Sequence, residues 1–204
     1  MSNNRNHSKL LSIAAVSLVV LGQNTIATDA AHAQGKLANL SDSEPVYEAM
    51  IGGEKYSVTK MVMHAPVDKI WRVLTDYANA PKVFPQMKKC QVIKDDGAVK
   101  IVKEVVAPSG PLGTFSYVLK LSEKAPHTLE WSRVSGSFKE VRGFWKLEAL
   151  ADGKTLVTYA SFVDGGFFLP QPFIRRQARI DMPNIMSCLK CKVETPKLEI
   201  SARP

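Results

Sequence analysis

From residue 45 onward, apolar and polar positions alternate with period two in short runs broken by turn signals. Side chains on a strand point to alternate faces, so this pattern marks strands with two unlike faces. The first two runs, 45–51 and 56–64, are joined by Gly52-Gly53, a pair suited to a tight hairpin turn. Pro66 then opens a stretch in which Val67, Ile70, Trp71 and Leu74 keep helical spacing, which predicts a short amphipathic helix over 66–75. A second short helix opens at Asn79-Ala80-Pro81 and is stopped by Pro85. Further strand runs lie at 88–94, 98–106, 114–122, 128–134, 138–147 and 155–163. Asp95-Asp96-Gly97, Pro108-Ser109-Gly110-Pro111, Ser135-Gly136 and Ala151-Asp152-Gly153 separate them, which is the rhythm of an antiparallel meander.

After Asp164-Gly165-Gly166 the period changes. Ile174, Ala178, Met182, Ile185, Leu189 and Val193 form one apolar stripe, which predicts a long helix over about 172–194 with a kink at Pro183. A meander has an apolar face that must be covered, and two short helices cannot cover it. The long helix can, because a stripe of about 20 residues spans roughly 30 Å. The expected fold is therefore α+β of the helix-grip type. A curved antiparallel sheet of about seven strands wraps around a long C-terminal helix, and two short helices follow the early strands. An apolar hollow is expected wherever side chains do not fill the space between sheet and helix.

The start of the chain has a different character. Arg5 and Lys9 precede the uncharged run LLSIAAVSLVVLG (10–22), and Ala31-His32-Ala33 supplies a small-x-small site. That arrangement is a secretory signal peptide, and the run is too short to span a membrane. Cleavage near Ala33 would place the mature chain in the periplasm or outside the cell. The domain reading is thus a signal over 1–33, a flexible lead-in over 34–44, one domain over 45–195 and a tail over 196–204.

The net charge of +8 falls to +7 when Arg5, Lys9 and Asp29 leave with the signal. Such a charge favours anionic membrane surfaces. Nucleic acid is not expected as a partner, because Lys and Arg are dispersed and form no long run. Cys90, Cys188 and Cys191 make no disulfide framework, and they lack the spacing of a zinc site. The pair Cys188 and Cys191 falls late in the helix, where the dipole disfavours a thiolate. No phosphate-cradling glycine loop, metal-ligand array or nucleophile elbow is present, so neither a metal nor a cofactor is expected.

The segment Ala65-Pro66-Val67-Asp68-Lys69-Ile70-Trp71-Arg72-Val73-Leu74-Thr75-Asp76-Tyr77 resembles the START-like, helix-grip (SRPBCC) superfamily. Val83-Phe84-Pro85, Val134-Ser135-Gly136-Ser137-Phe138, Gly143-Phe144-Trp145-Lys146-Leu147-Glu148 and Phe168-Leu169-Pro170 extend the likeness over about 45–195. This superfamily includes polyketide cyclases/dehydrases and coenzyme Q-binding proteins. The resemblance implies a cavity fold whose members bind lipids, quinones, polyketides or hormones, some of them as enzymes.

Face patterns nominate the residues of such a cavity. Tyr117 shares a face with Phe115, Leu119 and Leu121, while Trp131 and Arg133 share one with Leu129. In the next run Phe138, Glu140, Arg142 and Phe144 lie on one face, and Val141, Trp145 and Leu147 on the other. Period two does not say which face looks inward. The candidate ligand-binding set is Tyr117, Trp131, Arg133, Arg142, Phe144, Trp145 and Tyr159. Aromatic residues would form the walls, and Arg133 or Arg142 would hold an acidic head group. Glu104 could act as a base, but nothing pairs with it in sequence. Three functions compete. The cavity fold, the export signal and the missing catalytic set favour a non-catalytic binder or carrier of a lipophilic small molecule, expected as a monomer. The second is a cyclase- or dehydratase-type enzyme using cavity Arg, Tyr or Glu. The third is a protein that binds a membrane surface or a partner and has a vestigial pocket.

Overall fold

The structure, a computed structural model, describes residues 44–195. The expected export signal, most of the lead-in and the tail lie outside the described residues. The elements are β1 (Tyr47–Ile51), β2 (Glu54–Met63), α1 (Val67–Leu74), α2 (Ala80–Val83), β3 (Met87–Asp96), β4 (Val99–Val106), β5 (Phe115–Lys124), β6 (Thr128–Gly136), β7 (Glu140–Ala149), β8 (Thr155–Asp164) and α3 (Gln171–Glu194). All strand pairs are antiparallel, in the order β1-β2-β8-β7-β6-β5-β4-β3. This is the helix-grip arrangement that the patterning predicts.

Eight strands form, one for each run in the patterning, and the short β1 keeps a full ladder with β2 from Tyr47 opposite Val58 to Ile51 opposite Glu54. Gly52 and Gly53 make the turn at φ 58° and 84°, a region that glycine enters without strain. Asp95 and Asp96, expected in a turn, instead extend β3 opposite Lys100 and Val99. Asp95 Oδ1 accepts from the Gly97 amide at 3.0 Å and from Lys100 Nζ at 2.9 Å, which satisfies the carboxylate at the exposed strand end.

A second difference concerns Phe138. It does not share a face with Glu140, Arg142 and Phe144, because β7 begins only at Glu140. The chain bends between the strands, where Gly136 has φ 127° and the Ser137 amide bonds back to Ser116 O at 2.9 Å. The bend sends Phe138 inward, where it stacks on Phe115 with ring centroids 4.8 Å apart.

The helix α3 runs without a break through Pro183. Its stripe has two parts. Met186, Leu189 and Val193 are fully buried and join Met61, Met63, Ile70, Leu147 and Val157 in the core. Ile174, Ala178 and Ile185 keep part of their surface and border a hollow. The packed end is fixed by the His64 amide donating to Glu194 Oε1 at 2.7 Å. The Thr155 hydroxyl donates to Ala65 O at 2.7 Å inside the core and ties β8 to the end of β2. Among the described residues no helix is long and apolar enough to cross a membrane.

Candidate functional site

Between the concave face of the sheet and the first half of α3 lies a cavity of about 290 Å³. That volume is near the lower bound of about 300 Å³ for small-molecule sites. It exists because the residues of α3 that face the sheet there, among them Ala178, do not reach the aromatic side chains opposite. The loop between β4 and β5 contributes Pro108 and Leu112 to the rim. A three-part clasp holds this loop to α3. The Ser109 amide donates to Asp181 Oδ1 at 3.1 Å, and Gln177 Nε2 donates to Ser109 O at 2.9 Å and to Asp181 Oδ2 at 2.8 Å.

Four of the seven candidate residues line this cavity: Tyr117, Trp131, Trp145 and Tyr159. Tyr159 stacks on Trp145 with centroids 4.2 Å apart and planes 13° apart, and it meets Trp131 at 5.9 Å. Trp131 can lie flat over β7 because its partner there is Gly143. A Cβ at Gly143 would come within 2.3 Å of the indole and of Ala160 O. Strand parity leaves the facing of Trp131 and Trp145 open, and both face inward.

The arginines correct the expected polar end of the pocket. Arg142 and Phe144 occupy the outer face of the sheet, away from the cavity. Arg142 bridges Glu54 at 3.0 Å and Glu140 at 3.2 Å, and its guanidinium lies 5.4 Å from the Phe162 ring centre. Phe144 packs with Tyr56, Ala160 and Phe162 in a second apolar cluster. This cluster is why the pattern misled: β2, β7 and β8 are apolar on both faces. Arg133 is paired with Leu119 at the irregular step between β5 and β6, is not among the cavity-lining residues, and donates from Nη2 to Gly136 O at 3.2 Å.

The polar element of the wall comes from Glu104, which the sequence offers as a possible base with nothing paired to it. Cys90 on β3, Glu104 on β4 and Tyr117 on β5 sit in direct register, and all three line the cavity. Glu104 has no cation within ion-pairing distance among the described residues and takes a hydrogen bond from the Tyr117 side chain. Loss of solvation raises its carboxyl from 4.5 to about 7, and the Tyr117 bond only partly opposes this. The same burial, with the Glu104 charge adding to it, raises Tyr117 and Tyr159 well above an ordinary phenol. Cys90 is pushed up to about 12 by burial and by Glu104, so its thiol stays protonated. Signal for Glu104 did exist in the sequence. It shares strand parity with Val102 and Val106, so an acid occupies an inward-facing position in an apolar run.

Residues 63–190, more than half of the chain, match the family described as polyketide cyclase / dehydrase and lipid transport. The chain belongs to this family. Solved structures with the same fold include a START superfamily protein from Mycobacterium smegmatis, with a TM-score of 0.62 and 17% identity over 68% of this chain and 97% of that one. A STAR-related lipid transfer protein from Xanthomonas axonopodis gives 0.63 and 18% identity over 77% and 96%. The Zhui aromatase/cyclase from Streptomyces sp. R1128 gives 0.57 and 14% over 68% and 93%. At such identities the likeness establishes the fold. The comparison with curated proteins finds no match.

As in any member of the cyclase/lipid-transport family, function depends on what this cavity presents. Among the described residues no three His, Cys, Asp or Glu side chains come together as a metal site. Asp76, at the turn after α1, accepts from the Asn79 side chain at 2.9 and 3.0 Å. Because Arg142 lies outside, Arg142→Ala is expected to leave ligand affinity unchanged. It should alter stability by less than about 1 kcal/mol, as for other exposed ion pairs. Titration of the variant with a fatty acyl probe, alongside its melting curve, checks this.

Proposed function

We propose that this protein binds and carries a lipophilic small molecule, such as a lipid, quinone or isoprenoid, outside the cytoplasm. The observation that carries the reading is the cavity itself, walled by Tyr117, Trp131, Trp145 and Tyr159 and bordered by apolar residues of α3. Aromatic walls offer large apolar contact areas and lose little rotamer freedom on binding. The family's lipid-transport members, and the lipid transfer protein that shares the fold, support the same reading. Export rests on the sequence of 1–33 alone. Contact with anionic membranes fits the basic composition, with Arg176, Arg179, Phe173 and Ile180 exposed on the half of α3 beside the cavity.

Solvent extraction of the exported protein followed by mass spectrometry is expected to release one dominant lipophilic species. The intact mass of the same sample should correspond to a chain beginning near Gln34. A fluorescent acyl probe should quench Trp131 and Trp145 saturably, while Trp71, which packs elsewhere against the core, retains emission. Folded protein that yields no lipophilic species, and binds no lipid, quinone or isoprenoid from a panel, would overturn the carrier reading. A cyclase or dehydratase is the second reading, and Glu104 beside Tyr117 is the observation that favours it, as an acid–base pair facing a hydrophobic substrate. Turnover of a polyketone substrate that is lost in Glu104→Gln would move it ahead.

A further inference from the structure

We propose that Glu104 and Tyr117 form a head-group site for an uncharged oxygen function, a ketone, quinone or alcohol, and that the site holds its ligand only while Glu104 is protonated. The inference deepens the carrier reading and rests on it, since it names the ligand's polar end.

Cys90, Glu104 and Tyr117 are cross-strand neighbours on three adjacent strands, so their side chains emerge side by side on the concave face. Tyr159 faces the same hollow from β8 and is electrostatically coupled to Glu104. The Tyr117 hydroxyl is engaged by the Glu104 carboxyl. A protonated carboxyl that accepts from Tyr117 on one oxygen has a single donor left, its own O–H, and the cavity is where that donor can find an acceptor. A carbonyl or hydroxyl oxygen on a ligand fits it. A carboxylate or phosphate head does not, because it would meet Glu104 as a like charge whenever Glu104 ionises.

Among the described residues no cation pairs with Glu104 to relieve that repulsion. The basic residues on the cavity border, Lys55 and Arg175, pair with Glu48 at 3.4 and 3.2 Å. From α3, Asp181 faces the cavity with its carboxylate engaged by Ser109 and Gln177. From the segment after α1, Tyr77 gives its hydroxyl to Glu123 at 2.7 Å. Cys90 and Tyr159 are both held protonated by burial. Glu104 is therefore the group in this cluster that changes charge near neutral pH, and desolvation supplies the reason. A second polar side chain points to the same kind of ligand. Gln86 lines the cavity, and its Oε1 is buried without a partner. A buried amide oxygen of this kind calls for a donor, which an alcohol or enol head could supply.

The test uses N-phenyl-1-naphthylamine, a neutral fluorophore, as reporter of the cavity, displaced by 2-tridecanone or by dodecanoate at pH 6 and pH 8. Wild type is expected to bind the ketone more tightly than the acid. Its ketone affinity should fall about tenfold from pH 6 to pH 8, as the protonated fraction of a group titrating near 7 does. Glu104→Gln keeps a donor of the same shape, so its ketone affinity should be independent of pH. In Tyr117→Phe the bond that holds the carboxyl down is gone, so the midpoint of the ketone profile should move to higher pH. Carbon-13 resonances of the glutamate carboxyls give that midpoint without any ligand. Saturable fluorophore binding with ketone affinity flat in pH for wild type would overturn the head-group site and leave the carrier reading standing. Folded protein that binds neither fluorophore nor ketone at either pH would overturn both.

Discussion

Leu189→Asp is expected to leave the protein without a cooperative unfolding transition. Leu189 is fully buried on α3, in the same core cluster as Met186 and Val193. Removing a leucine from such a place costs about 2–5 kcal/mol in lost transfer energy and cavity. A carboxylate without a partner adds several kcal/mol, whether it is buried charged or takes up a proton. Native domains hold only about 5–15 kcal/mol in total, so the sum reaches the whole stability of the fold. Ile180→Asp on the same helix is the control, because Ile180 is 46% exposed. It places the same poor helix former on α3 without burying it, and should change stability by about 1 kcal/mol or less. Near-ultraviolet circular dichroism and melting curves of the two variants make the comparison. A normal melt for Leu189→Asp would mean that α3 does not close the sheet.

Glu104→Gln should stabilise the protein, and by an amount that grows with pH. The folded carboxyl titrates near 7 and the unfolded one near 4.5, so the folded state holds its proton more tightly. The contribution of Glu104 to wild-type stability is therefore fully present below about pH 4.5 and is lost as pH rises through about 7. The decline is on the order of 3 kcal/mol, since each tenfold difference in proton affinity between the folded and unfolded chain is worth about 1.4 kcal/mol. Glutamine keeps the shape and cannot ionise, so its melting temperature should exceed that of wild type by about 5–10 °C at pH 8. The two proteins should converge near pH 4.5. Melting profiles that stay parallel from pH 5 to pH 8 would show that Glu104 is well solvated.

Most of the fold was legible because most strands carry one wet and one dry face. Leu119 and Leu121 announce their inward side by alternating with Lys120 and Ser122. The stripe on α3 was equally plain, since Met182, Leu189 and Val193 recur at helical spacing and are all buried. Reading failed where that contrast vanishes. Outside the sheet, Tyr56, Val58, Ala160 and Phe162 form a second apolar layer. Arg142 and Phe144 belong to that side, and alternation alone could not separate it from the cavity. Phe138 parts from Glu140, Arg142 and Phe144 because a bend at Gly136 resets the alternation before β7 starts. The aromatic side chains that line the cavity stand out in the sequence by size, while parity leaves their facing open. Glu104 stands unpaired in the sequence because its partners Cys90 and Tyr117 come from other strands, and register between strands is not written in any one of them.

The division of α3 into a packed end and a hollow-facing end has a consequence for how such a protein can diverge. Met186, Leu189 and Val193 carry the closure of the sheet, and a change there is felt by the whole molecule. Ile174 and Ala178, about three and two turns before Met186, border space rather than filling it. Exchanges among apolar residues there should reshape the pocket at little thermodynamic cost. Ligand preference can then drift along the first half of one helix while the second half keeps the architecture fixed. Two selection pressures that usually collide in a small core are here separated by about 15 Å of helix, ten residues at 1.5 Å each.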